Sequence, residues 1–238
     1  MAGAPQRGIT MTKQQKTAEQ QLAELTEEAE KSKVIVMPMP MMPDLGPSAP
    51  RVARTIKLFG EVCDEQSEKI IDELIAMSIN SEEMVETNPD DPECEEMERI
   101  VHPLDFMIST YGGNADDMFA IYDVMNSVKD TVPIHTFGVG KVMSAGVLLL
   151  ASGTKGERHI GRNCRVMIHH VAGGIAGSLP SMDADLNSIK AMEARYLKVL
   201  VSETKFTKRS LKKLLDKRVN IYLSAEEAIE YGIADKYI

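Results

Sequence analysis

Three groups of residues in this chain have the types and positions that acyl transfer needs. Ser144 stands in FGVGKVMSAGVLLLASG, residues 137–153, where a β-prone run gives way to an apolar stretch. A hydroxyl at such a strand-to-helix junction lies beside backbone N–H groups that no helical carbonyl satisfies, near the positive end of the helix dipole, and this setting favours an oxyanion. Gly112 and Gly113 end a second strand-like run. Having no side chains, they can bring another backbone N–H close to a reacting carbonyl. His169 lies near the end of a third run, and imidazole changes protonation near neutral pH, as a general base must. Read singly, each has a structural explanation: a helix cap, a turn and a packed strand histidine. Read together, they supply a nucleophile, an oxyanion hole and a base. The pattern is not a G-x-S-x-G elbow, because Gly140 lies four positions before Ser144.

Something must bring these residues to one place, and the periodicity of the chain supplies it. TIKLFG, residues 55–60, is a short β-prone run, and Ile70, Ile71, Leu74, Ile75 and Ile79 follow at helical spacing. DFMIST, residues 105–110, resumes a strand, YGGN turns it, and Met118, Phe119, Ile121, Tyr122, Met125 and Val128 mark the next helix. PIHTFGVG leads to Ser144 and a helix over 147–152, and CRVMIHH, residues 164–170, forms the next strand. Such alternation predicts an α/β fold of mainly parallel strands joined by right-handed crossovers, with the carboxyl ends of the strands on one rim. A long helix over 182–202 carries Leu186, Ile189, Met192, Tyr196, Leu197 and Leu200 on one face, more apolar surface than a single domain needs and suited to assembly. A shorter helix, SLKKLLDK, follows, and Ser224 with Glu227 has capping-box spacing before Gly232 ends the last helix.

The rest of the chain bounds the function. Residues 1–33 are polar with sparse apolar positions, and VMPMPMMPDLGPSAP over 36–50 holds too many prolines for a helix or central strand, so residues 1–50 read as a flexible extension and linker. Residues 51–238 read as the folded domain. It is interrupted over 81–103 by an acidic insertion, SEEMVETNPDDPECEEME, which has no glycine to turn a calcium loop. A formal net charge of −9 argues against nucleic acid or an anionic membrane as partner. Cys63, Cys94 and Cys164 are an odd, dispersed set that fits a reducing compartment better than disulfides or a metal site. With no membrane-length apolar run and a polar start, a soluble cytoplasmic protein without metal or cofactor is the expectation.

GKVMSAG, followed by LLLASGTKGERHIGRNCRVMIHH, AGG and YLSAEEAIEYGIAD, resembles the proteolytic subunit of the Clp protease, ClpP. The resemblance covers the chain from about Val52 onward apart from the acidic insertion. It implies a serine endopeptidase of the ClpP/crotonase-like fold, with repeated strand-helix units and a projecting handle at about 171–204. Fourteen subunits would stack as two heptameric rings around the active sites, cleaving peptides and unfolded proteins delivered by an AAA+ unfoldase. Carried over by position, Ser144 is the nucleophile, His169 the base, and Gly113 and Ala145 the oxyanion-hole positions. Val171, Ala172 and Gly173 would pair with the substrate as an added strand. Counting back from Leu223 places Asn220 at the third catalytic position, where the family has aspartate, and Asp216 lies one helical turn earlier. Asp105 and His159 stand where the family's unfoldase-docking surface has aromatic residues. Two other readings fit the same residues: a non-catalytic ring subunit, and a crotonase acting on acyl-CoA.

Overall fold

The computed structural model describes residues 54–87, 96–216 and 220–238. The extension and linker over 1–50, and Cys94, lie outside them. The first unit is β1, Thr55–Val62, then α1, Asp64–Ile79, whose Ile70 and Leu74 are buried against the sheet. Two short strands, β2, Glu82–Glu86, and β3, Met97–Val101, then pair antiparallel as a separate ribbon. Composition alone reads this segment as an exposed acidic insertion and assigns it no strands. The ribbon shows no strand period because no position along either strand is fully buried, and only Val101, at its end, packs against the core.

The main chain of units continues with β4, Leu104–Gly113, α2, Ala115–Lys129, β5, Ile134–Met143, and α3, Ala145–Ala151. Then come β6, Arg158–Ile160, β7, Arg165–His169, and the 25-residue α4, Leu179–Glu203. The chain closes with α5, Lys208–Leu215, β8, Asn220–Leu223, α6, Ala225–Glu230, and β9, Lys236–Tyr237. Strands β1, β4, β5, β6 and β9 lie side by side and parallel. Strand β7 also pairs parallel with β5, and β8 runs antiparallel to β7. The parallel architecture expected from the alternation is therefore present, with an antiparallel edge. Beyond the linker, the helix expected at 147–152 begins two residues earlier, and the long helix runs three residues further toward the N-terminus.

Strand β5 is the fork of the sheet. Thr136 to Gly138 pair with β6, and Lys141 to Met143 pair with β7. Gly140, at φ 67°, sits between the two segments. A left-handed backbone there lets one strand serve two partners at almost no steric cost, which a residue with a Cβ could not do. The turn delivers Met143 and Ser144 to the rim. Helix α3 behind them is buried at every position, which explains its unbroken apolar sequence.

Arg158 is the one buried cation among the described residues. It is 4% exposed and donates to the carbonyls of Ala151, Glu203 and Gly232 and to both carboxylate oxygens of Asp235. It thereby ties the ends of α3 and α4 to the last loop. Removing its counter-charge leaves a guanidinium uncompensated in the interior. Asp235→Ala is expected to cost about 3–5 kcal/mol of stability, measured by denaturant unfolding. A loss below about 1 kcal/mol would show that the carbonyls alone hold Arg158.

Candidate active site

Ser144 adopts φ 54°, ψ −119°, a left-handed conformation that glycine tolerates and serine does not favour. Holding a non-glycine residue there costs about 1–3 kcal/mol and requires surroundings that leave no alternative. Those surroundings are visible. The Ser144 N–H donates to the Met167 carbonyl at 2.8 Å, and the Ser144 carbonyl accepts from Val147 N–H at 3.0 Å and from the Tyr196 hydroxyl at 3.4 Å. A Cβ on Gly112 would come within 2.5 Å of the Ser144 Cβ, so only glycine fits beside it. Ser144 stands at the N-cap position of α3, yet its side chain makes no capping hydrogen bond. The capping explanation therefore fails for this serine.

The hydroxyl is engaged elsewhere. Ser144 Oγ lies 2.8 Å from His169 Nε2. His169 ends β7, the strand that pairs with the end of β5, so sheet register brings serine and imidazole together across 25 residues of chain. Both are half-buried. Gly113, at the end of β4, is pressed so closely on β1 that a Cβ would lie 2.1 Å from the Val62 carbonyl oxygen. Thr110 shapes this strand end, donating through its hydroxyl to the Gly60 carbonyl and accepting from Gly112 N–H at 2.9 Å.

A cleft of about 400 Å³ joins these groups, bordered by Ser144, Ala145, His169, Gly113, Val171 and Ala172. Four other expected site residues thus share one cavity with the serine-histidine pair, and Gly173 continues the segment that leaves it. Residues 171–177 belong to no strand, and among the described residues none of their backbone groups bonds another backbone group. Such an open edge accepts an extended peptide by main-chain pairing.

Asn220 has a different standing. It lies directly opposite His169 in the β7–β8 ladder, but its side chain is exposed and makes no hydrogen bond to the ring. Among the described residues nothing accepts a proton from His169 Nδ1. Asp216 follows the last turn of α5 with helical φ and ψ, on the side of the neighbouring His170.

Sequence pattern alone misses three contributors. Tyr196 counts as an apolar face residue of the long helix, whereas here it is buried, lines the cleft and holds the Ser144 carbonyl; burial pushes its phenol well above the usual range. Tyr111 stands exposed at the cleft rim with the Lys141 ammonium 4.6 Å from its ring centroid. His170 bonds Glu193 on α4 through Nδ1. That bond, aided by the Leu215 carbonyl and the Asp216 charge and opposed by partial burial, raises its pKa above 6.5. Raised in the folded state, the group adds stability that is fully present below its unfolded pKa and is lost as pH rises through the folded one. Glu193→Gln should therefore lower Tm more at pH 5.5 than at pH 8.5. An equal loss at both would refute the linkage. Cys164 carries no comparable chemistry, since burial pushes its thiol up to about 11.

A sequence model of Clp protease matches residues 95–238, a span containing every expected catalytic and oxyanion-hole residue. The chain belongs to the Clp protease family. It is 30% identical over 183 residues to the ATP-dependent Clp protease proteolytic subunit 2 of Treponema denticola, which covers 77% of this chain and 80% of that one. It is 27% identical over 185 residues to the ATP-dependent Clp protease proteolytic subunit 2 of Gluconobacter oxydans, covering 78% of this chain and 74% of the relative. Its mainly parallel sheet, flanking helices and long α4 agree with the ClpP fold expected from the sequence. Among the described residues, no helix of this Clp family member is long and apolar enough to cross a membrane.

Proposed function

We propose that this chain is a serine endopeptidase subunit of Clp type, cleaving peptides and unfolded proteins inside a ring assembly that works with an AAA+ unfoldase. The observation that carries the reading is the 2.8 Å contact between Ser144 Oγ and His169 Nε2, made by a serine held in a left-handed backbone and released from capping.

The chemistry follows from that pair. A substrate pairs as an extended strand along Val171, Ala172 and Gly173, laying its carbonyl over Ser144. His169 Nε2 takes the hydroxyl proton as Oγ bonds the carbonyl carbon, and the backbone N–H groups of Gly113 and Ala145 receive the oxyanion. Collapse breaks the C–N bond, and His169 passes its proton to the departing amine. Water then attacks the acyl-enzyme, gives a proton to His169 and releases the acid, and the proton returns to Ser144 Oγ.

The projecting part of α4 supports assembly. Leu179 is 82% exposed and Leu186 38%, on a helix with only two fully buried residues. Two stacked heptameric rings, in the cytoplasm, complete the reading. An active-site-directed phosphonate followed by mass spectrometry tests it, and modification at Ser144 is the expected result. One observation favours the non-catalytic ring subunit as a second reading: His169 Nδ1 has no acceptor among the described residues. An intact assembly that leaves Ser144 unmodified would establish that alternative.

A further inference from the structure

We propose that the groove between α4 and α5 binds an amphipathic carboxylate, an aliphatic chain ending in a single anionic group. The inference stands apart from the peptidase reading, because His170 is the one residue that borders both this groove and the catalytic cleft.

Residue spacing on both helices makes the groove. Ala194, Leu197, Lys198 and Val201 recur at helical intervals on α4, and Lys208, Leu211, Lys212 and Leu215 do so on α5, so each helix turns one face toward it. His170 shows how the helices run. It bonds Glu193 of α4 and meets Leu215 and Asp216 at the far end of α5. Residues 204–207 join the other two ends, so the pair is an antiparallel hairpin. The groove therefore has two unlike ends. Glu193 and Asp216 lie at the His170 end, with Lys190 about one turn beyond Glu193, whereas Lys198 and Lys208 lie at the loop end and Lys212 one turn further along α5.

The floor between these ends is aliphatic. Leu211 and Leu215 are buried, and Leu197 and Val201 are half-buried. The cavity measures about 560 Å³, within the range of about 300–1,000 Å³ that small-molecule sites occupy. Among the described residues lining it, none carries a hydroxyl or amide side chain and only His170 carries a ring, so a sugar or a nucleobase finds little to bond or to stack on. An aliphatic chain is covered along its length by the leucines and by the lysine stems. Charge then fixes its direction. The carboxylates at the His170 end repel an anionic head, while the ammonium groups of Lys198, Lys208 and Lys212 have no partner among the described residues and can each donate to one.

Dodecanoate, kept below its critical micelle concentration, is the probe. Calorimetry on the full chain is expected to show one site per chain. Its occupation is expected to slow acetylation of Lys198, Lys208 and Lys212 by acetic anhydride, read by mass spectrometry, and to leave the exposed Lys57 of β1 unchanged. Lys198→Gln with Lys208→Gln removes two ammonium groups from exposed positions with little change in helix propensity. The double variant, checked by circular dichroism, is expected to bind dodecanoate at least about tenfold more weakly. Butyrate keeps the head and loses most of the chain; dodecyltrimethylammonium keeps the chain and reverses the head. Each is expected to bind the unmodified protein at least about tenfold more weakly than dodecanoate. Absence of saturable binding, a folded variant that binds as tightly as the unmodified chain, a control ligand that matches dodecanoate, or protection that misses the three lysines would each overturn the proposal. Should the variant fail to fold, the two control ligands and the acetylation pattern decide it.

Discussion

Ser144→Ala is expected to reduce peptide cleavage by at least about 10⁴-fold while leaving the fold and assembly of the chain unchanged. The substitution removes one oxygen, and that oxygen's single hydrogen bond in the structure is to His169. It leaves in place the contacts that hold the backbone, since Met167, Val147 and Tyr196 all bond main-chain atoms of residue 144. Alanine occupies the same left-handed conformation at a cost similar to serine's, so thermal unfolding should move little. The measurement is pre-steady-state acylation by an activated peptide ester, with light scattering on the same preparation. An acylation burst of parental size from the alanine variant would remove Ser144 from the mechanism. Loss of cleavage together with loss of assembly would show the residue to be structural.

Much of this site is legible in the sequence because the sheet does simple work. Parallel strands carry their carboxyl ends to one rim, so Gly113, Ser144 and His169, each at the end of a strand-like run, have to converge. The conformation of Ser144 is not legible. Nothing in GKVMSAG distinguishes a capping serine from one turned to a left-handed backbone; the distinction comes from Gly112, 32 residues earlier, whose missing Cβ makes room for the serine side chain. Tyr196 is hidden for a related reason. Its spacing is that of a core residue, and only the packing of α4 over the cleft gives its hydroxyl a partner. Strand β6, three residues long and beginning at Arg158, is too short to show a period. Arg158 looks like a surface charge until Asp235 and three carbonyls, brought from three other places in the chain, surround it.

The third catalytic position is where sequence position and chemistry diverge. Asn220 has the register: it lies directly across from His169 on a strand whose backbone is fixed by the ladder. Asp216 has the charge. The asparagine lies opposite the imidazole with an exposed side chain that makes no hydrogen bond to it, and it must turn to form one. Even if it did, its amide oxygen would orient the ring without stabilising imidazolium, and its NH2 group could turn the ring to the wrong tautomer. Asp216 sits at a helix end beside His170 and outside the cleft that holds Ser144 and His169, so its carboxylate serves the base only if the last turn of α5 shifts. In a trypsin-type triad, aspartate to asparagine at this position costs about 10⁴ in kcat. Asp216→Asn is accordingly expected to slow acylation by at least about 10²-fold, through loss of the tautomer and charge stabilisation that a carboxylate supplies. Asn220→Ala should stay within about threefold of the unmodified chain, as befits an exposed side chain with no bond to the ring. Both variants are to be compared at equal oligomer content by pre-steady-state acylation across pH. If Asn220→Ala carries the large loss and Asp216→Asn is silent, the strand position holds the third member, and an amide completes the triad. A serine that acylates equally well in both would mean that Ser144 and His169 work as a dyad, with the Nδ1 proton of the imidazole given to water.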